Sequence, residues 1–332
     1  MESTVYAANN SSLKIQTAHE PWRGRLLAAL RAEDDGGHEN HACQFLNEIA
    51  NPTAAPNSAP NVLIATWDGA HIVGATWYNP QPGRVGIGGP LWLPTHSVPS
   101  PTETGAQLLA AQQKKLAEQG CQLIQSWLPQ ATGVEAQRLR QAGLRHLADV
   151  HCLVSLPHHW PNATPSYDSP LDFVDCRTAH QDRLQEVLSA TYTDTLDCPQ
   201  LNVLRDIEDV LAGYHATGTP RADGWWLLQC GDQDVGCLLL ADFPGNRQIE
   251  LVYLGLIPTA RGKGWGRLLV RYAQWFAFQA TRDQLVLAVD STNHPARTLY
   301  SDAGFVTWRQ RSVFIKPVAA VPFAPEKIHA SH

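Results

Sequence analysis

The chain has 332 residues, 44% hydrophobic and 17% charged, which is room for two packed domains or one large one and leaves no case for a chain that stays unfolded. A net charge of −6 argues against a nucleic-acid partner recognised by phosphate neutralisation, and no run of about 18 apolar residues is present that could span a membrane. The seven cysteines are odd in number, widely spaced and free of C-x-x-C, a usage expected of reduced thiols in a cytoplasmic protein.

The first residues are polar, with no basic stretch leading into an apolar one, so no secretory signal is expected. Residues 51–60, NPTAAPNSAP, predict an exposed loop. Residues 62–67 and 72–78 then read as a strand pair, 102–119 as a long helix, 122–143 as strand, polar turn and short helix, and 149–156 as an alternating strand. Residues 157–170 carry four prolines and no periodic pattern and predict a linker. Beyond it, 182–190 and 203–214 have helical spacing, and 225–230 and 235–241 read as strands around the Gly231-Asp232 turn. Trp225 and Trp226 are expected in the sheet core. Residues 248–256 are a third strand, rich in β-branched and aromatic side chains. A glycine-rich turn leads into a helix with Leu268, Leu269, Tyr272, Trp275 and Phe276 on one face. A strand at 284–289, a short helix at 295–302, a last strand and a tail from Val318 complete the reading.

Two of these stretches are copies of one unit. Residues 122–143 and 284–304 both run strand, polar turn, short helix and Ala-Gly, each followed by an apolar residue (Leu144 or Phe305) and an alternating strand. The glycines that end them, Gly143 and Gly304, are 161 residues apart (304 minus 143), too long a period for a solenoid.

The segment with chemical content is Arg261-Gly262-Lys263-Gly264-Trp265-Gly266, between a strand end and a helix. Three alternating glycines strip the turn of side chains, so its N–H groups and those of the helix start can converge on an anion, with Arg261 and Lys263 adding positive charge. A pyrophosphate fits on physical grounds. The spacing is neither that of a Walker A loop, since no Gly-Lys-Ser/Thr follows, nor that of a dinucleotide fingerprint. Standing alone, the stretch also admits the lesser reading of a plain glycine turn.

Arg261-x-x-Gly264-x-Gly266 resembles the acyl-CoA signature Q/R-x-x-G-x-G/A of the GCN5-related N-acetyltransferases (GNAT superfamily), and Pro258 on the preceding turn matches as well. So does Asn293-x-Pro295-Ala296-x-x-Leu299-Tyr300, followed by Ala303-Gly304-Phe305. The resemblance covers about residues 171–317 and implies a mixed α/β (α+β-like) architecture. In it, two tandem folds each have a mostly antiparallel sheet, flanking helices and a splayed strand pair. The implied organisation is a degenerate N-terminal unit at 1–157, a linker at 158–170, a catalytic unit at 171–317 and a tail at 318–332. In the N-terminal copy, prolines stand in the loop at 91–105 and Leu139 stands where Tyr300 would be. This arrangement is similar to the mycothiol synthase family, in which an acidic residue eight positions before the loop proline serves as base; Glu250 stands there.

By the same resemblance, acetyl-CoA is the implied cofactor. Its pantetheine arm and thioester lie along the backbone of Leu254, Gly255 and Leu256. Its pyrophosphate lies on the amides of Gly262, Lys263, Gly264, Trp265 and Gly266 beside Arg261, and Asn293 flanks the arm, a role that competes with helix capping. Glu250 is the implied base and Tyr300 the implied acid in transfer of an acetyl group to a primary amine, of a small molecule or a peptide. Asp194 and Asp197 are candidates for attracting a cationic amine, against the alternative of solvated loop carboxylates. His38, His41, His158 and His159 lack further ligands at metal-site spacing, so no metal is expected. The competing reading is a non-catalytic acyl-CoA sensor or interaction protein.

Overall fold

The computed structural model describes residues 13–19, 22–32, 60–69, 71–94, 100–165, 170–176, 181–219 and 223–319. The polar start (1–12), most of the 51–60 loop, His38, His41 and most of the tail lie outside them. Among the described residues no helix is long and apolar enough to cross a membrane.

Among the described residues twelve strands form one sheet. In chain order they are β1 (Leu13–Thr17), β2 (Asn61–Trp67), β3 (His71–Gln81), β4 (Val85–Gly88), β5 (Leu123–Leu128), β6 (Arg145–Ser155), β7 (Leu171–Asp175), β8 (Trp225–Cys230), β9 (Gln233–Phe243), β10 (Gln248–Leu256), β11 (Gln284–Asp290) and β12 (Val306–Pro317). The helices are α1 (Trp22–Ala32), α2 (Pro101–Glu118), α3 (Val134–Gln141), α4 (Gln181–Thr191), α5 (Ile207–His215), α6 (Trp265–Gln279) and α7 (His294–Asp302). The helical spacing at 203–214 resolves into a 3₁₀ turn, Pro199–Val203, and α5, because extended Asp206 interrupts the run. β1 and α1 had no counterpart in the sequence reading.

The order across the sheet is β1-β2-β3-β4-β5-β12-β6-β11-β10-β9-β8-β7. All neighbours are antiparallel except β4–β5 and β10–β11. The order exchanges the two final strands. β12, from the end of the chain, pairs with β5 of the first copy, whereas β6, from the end of the first copy, pairs with β11 of the second. β6 and β12 also pair with each other.

Matching side chains of the two copies record both the repeat and the exchange. Gln113 on α2 donates to the Ala142 carbonyl (3.1 Å), and Gln274 on α6, 161 positions later, donates to the Ala303 carbonyl (2.7 Å). Each glutamine is met by the end of the other copy's last strand. The Ser155 hydroxyl accepts from Gln274 (2.9 Å), and Lys316 donates to Gln113 Oε1 (2.7 Å) and to the Ala142 carbonyl (2.9 Å). Ser155 and Lys316 are themselves 161 positions apart.

The apolar alternation of the strands divides the core between the two sheet faces. α2 covers Leu63, Ala65, Ile124, Leu128 and the exchanged Phe314. α6 and α7 cover Ile249, Leu251, Leu285, Leu287, Val289 and the exchanged Leu153. On the opposite face α1 packs on β2 and β3, and α4 and α5 pack on β8 and β9. Trp225 and Trp226 are buried, one on each face.

Because Phe314 is fully buried in the first copy's core and Leu153 in the second's, neither half holds a complete sheet alone. Residues 1–157 and 171–319 expressed separately are expected to lack a cooperative unfolding transition and to recover one on mixing, read by urea denaturation followed by circular dichroism. A cooperative monomeric second half would contradict the exchange.

Candidate active site

β10 and β11 run side by side for only three pairs, Gln248–Gln284, Ile249–Leu285 and Glu250–Val286. Beyond Glu250 they part, while β10 stays paired with β9 to Leu256 through a bulge at Val252. The bulge sets the phase. Ile257 N–H donates to the Val235 carbonyl (3.0 Å), and antiparallel pairs alternate between bonded and non-bonded. Gly255 therefore turns its backbone groups to β9, and Leu254 and Leu256 turn theirs into the gap. Tyr253 and Thr191 crowd Gly255: a Cβ there would sit 2.7 Å from the Tyr253 ring.

At the end of β10 the chain makes a 3₁₀ turn, Pro258–Ala260, and then the glycine loop. Gly262 (φ +75°) and Gly264 (φ +79°) are left-handed, which strains any residue with a Cβ, and the space around both is open. α6 begins at Trp265 with no side-chain cap, its first turn closed by Arg267 N–H to the Gly264 carbonyl (3.1 Å). The five successive N–H groups of Gly262, Lys263, Gly264, Trp265 and Gly266 donate to no described loop or cap acceptor, the donor array that an anion at a helix start requires. Lys263 Nζ lies 4.8 Å from the centre of the Trp265 ring, and Gly266 allows α6 to approach Leu299 of α7.

Arg261 departs from expectation. Its guanidinium is engaged by four backbone carbonyls, Leu256 (3.0 Å), Thr191 (2.9 Å), Thr193 (2.8 Å) and Asp194 (3.0 Å), and its N–H by Pro258. It is a clamp between β10 and the loop after α4 rather than a spare charge for a phosphate. The other end of that loop is also fastened. Asp197 accepts the Asp290 N–H (2.8 Å), Asp290 accepts the Cys198 N–H (3.2 Å), and both carboxylates lie at the end of β11. Residues 191–198 thus bridge from the end of β10 to the end of β11. Asp197 is committed to this bridge, and Asp194 contributes a carbonyl to it from a left-handed backbone.

Glu250 is half-buried on the α4/α5 face, with no hydrogen bond or ion pair to a described residue, and burial pushes its carboxyl up to about 7. Tyr300 is buried against Val289 and Phe305 on the α6/α7 side of β11. Its hydroxyl is pushed well above its ordinary range, first by burial and then by the Asp197 charge, so it holds its proton. Asn293 caps α7: its side-chain oxygen accepts the Ala296 N–H (3.3 Å). The sequence reading missed a hydroxyl cluster under the bridge. Thr191 meets Tyr253 (2.7 Å) and Tyr192 meets Tyr214 (3.0 Å), with the Tyr253 ring against both tyrosines. Those four side chains come from three elements, so no local spacing reveals them.

The first copy has the same splay without the same groups. Ile87 pairs with Gln125 as Glu250 pairs with Val286, so an apolar side chain stands in the place of the acid. Leu139 accepts the Leu144 N–H as Tyr300 accepts the Phe305 N–H, each through its backbone carbonyl at 3.0 Å. The start of α2 is closed: the Ser100 hydroxyl accepts the Glu103 N–H (3.3 Å), and Pro101 has no N–H to offer.

The halves also meet at the bridge. Arg84, in the β3–β4 turn, pairs with Asp206 (2.9 Å) and Asp209 (2.7 Å) at the start of α5. Cys198, Leu201 and Leu204 pack on Val85, Leu123, Val150, Val313 and Ile315. Among the described residues no three potential metal ligands cluster.

Removing the Arg261 clamp with Arg261→Ala is expected to speed amide hydrogen exchange across residues 191–198 while leaving β9 and β11 protected. Unchanged exchange in that loop would show the four carbonyl contacts to be dispensable.

Comparison with known proteins adds a family to this geometry. Residues 183–305 match the acetyltransferase (GNAT) family. Mycothiol acetyltransferase of Jonesia denitrificans is 33% identical over 91 residues, 27% of this chain and 29% of that protein. N-acetyltransferase 8B of Rattus norvegicus is 31% identical over 104 residues, 30% of this chain and 46% of that protein. The aligned region thus spans under half the length of these curated relatives. Among solved structures, a GCN5-related N-acetyltransferase from Sphaerobacter thermophilus aligns with a TM-score of 0.60 at 14% identity, covering 94% of this chain and 98% of that one. A GCN5-related glucosamine N-acetyltransferase region of a fungal multi-domain β-N-acetylglucosaminidase aligns at 0.58 and 14%, over 94% of this chain and 39% of that one. At such identities the structural likeness is one of fold.

Proposed function

From the membership of residues 183–305 in the GNAT family, we propose that the chain transfers an acetyl group from acetyl-CoA to a primary amine of a small molecule or peptide, using the second half only. The single observation that carries the reading is the open N–H array of Gly262–Gly266 beside a splayed strand, whereas the described start of α2 in the first half is capped. The residues fit the ligand: five donors suit a diphosphate, and the gap-facing backbone groups of Leu254 and the Leu256 N–H suit an extended amide-bearing arm. Bound acetyl-CoA supplies an activated acyl group.

Each residue then has a task. Free alkyl amines have pKa near 10.4 and arrive protonated, so a base must take the proton; a placed base or acid contributes roughly 10²–10⁴ in rate. Glu250, unpaired and with pKa about 7, is that base, directly or through one water. The gap-facing N–H of Leu254 would donate to the thioester carbonyl oxygen as charge builds on it. Tyr300, which keeps its proton, would stabilise the departing sulfur by hydrogen-bond donation. Asn293 acts by fixing the start of α7, and so the position of Tyr300. The clamped bridge at 191–198 closes the acceptor side.

The test is thiol release from acetyl-CoA across an amine panel. Wild-type kcat/KM is expected to rise with pH through about 7, as Glu250 loses its proton, and Glu250→Gln to lose that limb together with roughly 10²-fold or more of the rate. Acetyl-CoA bound but never turned over would favour the sensor reading instead.

The same shift has a stability consequence of defined sign. A carboxyl whose folded pKa is raised favours folding below its unfolded value, and that contribution is lost as pH rises through the folded one. Glu250→Gln is therefore expected to raise Tm at pH 8 and to have little effect near pH 4. Tyr300→Phe keeps the ring packed on Phe305 and is expected to cut kcat about 10²-fold with coenzyme A affinity unchanged. An unaltered kcat would remove Tyr300 from the mechanism.

A further inference from the structure

The cleft beyond Glu250 has a floor that the sequence order conceals. On the α4/α5 face, Glu250 on β10 is followed across the sheet by Val286 and Ala288 on β11 and by Val154 and Cys152 on β6. Ala288 is exposed although its strand has neighbours on both sides, so the face is open there. The next strand is the exchanged β12. Its register to β6 slips at Trp308: Thr307 pairs with Leu153, and Arg309, not Trp308, pairs with Cys152. A β-bulge of one residue re-aims every side chain after it. Without it, Trp308 would stand opposite Cys152 and Arg309 would face α7. With it, Arg309 and, two residues on, Arg311 (opposite Val150) share the face of Glu250.

Electrostatics agree with the register. Cys152, between the acid and the arginines, is pushed up by burial, drawn down by Arg311 and Arg309, and raised by Glu250. Arg309 is half-buried, near the exposed Trp308 ring (5.9 Å), and makes no ion pair with a described residue. Glu250 and Arg309 stand three strands apart and two residues along the strand direction, about 16 Å at roughly 4.8 Å per strand and 3.3 Å per residue, before their side chains extend into the cleft. A base at one end and a cationic fork at the other define a molecule with an amine at one end and an anion at the other.

We propose that Arg309, re-aimed by the Trp308 bulge and supported by Arg311, binds an anionic group on the acceptor, so that the substrate is a small amine carrying a carboxylate or a phosphate. This rests on the acetyltransferase reading for its amine end only. A guanidinium fork pairs with either anion through two parallel hydrogen bonds, whereas lysine offers a point charge.

The test uses the full chain with three ω-substituted alkyl amines of matched length, ending in carboxylate, phosphate or neutral amide. With wild type, one of the anionic amines is expected to exceed the amide by at least tenfold in kcat/KM. That ratio should collapse toward one in Arg309→Gln, mainly through KM, and return in part in Arg309→Lys for the phosphate. A second arm measures calorimetric binding of the N-acetylated anionic products to the coenzyme A-loaded protein, with at least tenfold weakening expected in Arg309→Gln. The binding arm reads the inference even if no amine is acetylated, an outcome that would count against the acetyltransferase reading alone. Equal use of the three amines by wild type, or equal product binding by wild type and Arg309→Gln, would overturn the assignment.

Discussion

The site depends on β10 and β11 parting after three pairs and being unable to close again. Each strand is held on its outer edge, β10 by β9 and β11 by β6, which pairs with it continuously from Leu285 to Asp290. Closing the gap would break one of those ladders or straighten the Val252 bulge. The inner edge of β10 therefore keeps the backbone groups of Leu254 and the Leu256 N–H turned into the gap, where an extended ligand can satisfy them, while the Leu256 carbonyl is held by Arg261. The same logic holds at the loop. Gly262 and Gly264 leave five N–H groups unspent, and the helix that begins there has no side chain to cap it.

The exchange of β6 and β12 ties this local geometry to the whole chain. The outer brace of β11 belongs to the first copy, so the half that lacks an acid, a tyrosine and an open helix start is nonetheless part of the second half's frame. It also steadies the bridge at 191–198, through Arg84 on α5 and through the apolar bed under Cys198, Leu201 and Leu204. In return the second copy completes the first one's core with Phe314. The absence of these groups from one copy is compatible with its close packing, because that packing serves the other copy.

Features carried by contiguous residues were legible in the sequence. The glycine turn entering α6, the Ala-Gly endings of α3 and α7, and the strands at 248–256 and 284–289 depend on neighbours along the chain, and the structure places them as read. Asn293 was readable as a cap from the proline two residues on, and it caps α7. What could not be read depends on partners distant in sequence. Arg261 belongs to a motif in which its charge suggests a phosphate, but its guanidinium finds four carbonyls, three of them some seventy residues upstream. The strand exchange leaves no mark in either copy's pattern, since β6 and β12 alternate in the same way whichever sheet half receives them. The role of Arg309 was invisible for a further reason: it depends on one extra residue in β12, which inverts the face that plain alternation assigns.

The central claim is that a bare stretch of main-chain amides, Gly262 to Gly266, and the open edge of β10 together take up one coenzyme A per chain. Isothermal titration of the purified full-length protein with coenzyme A tests it most directly. A stoichiometry of one is expected, with uptake abolished by Gly264→Val, which places a β-branched residue at a left-handed position. No uptake by the unaltered chain, or saturation at two molecules, would contradict it.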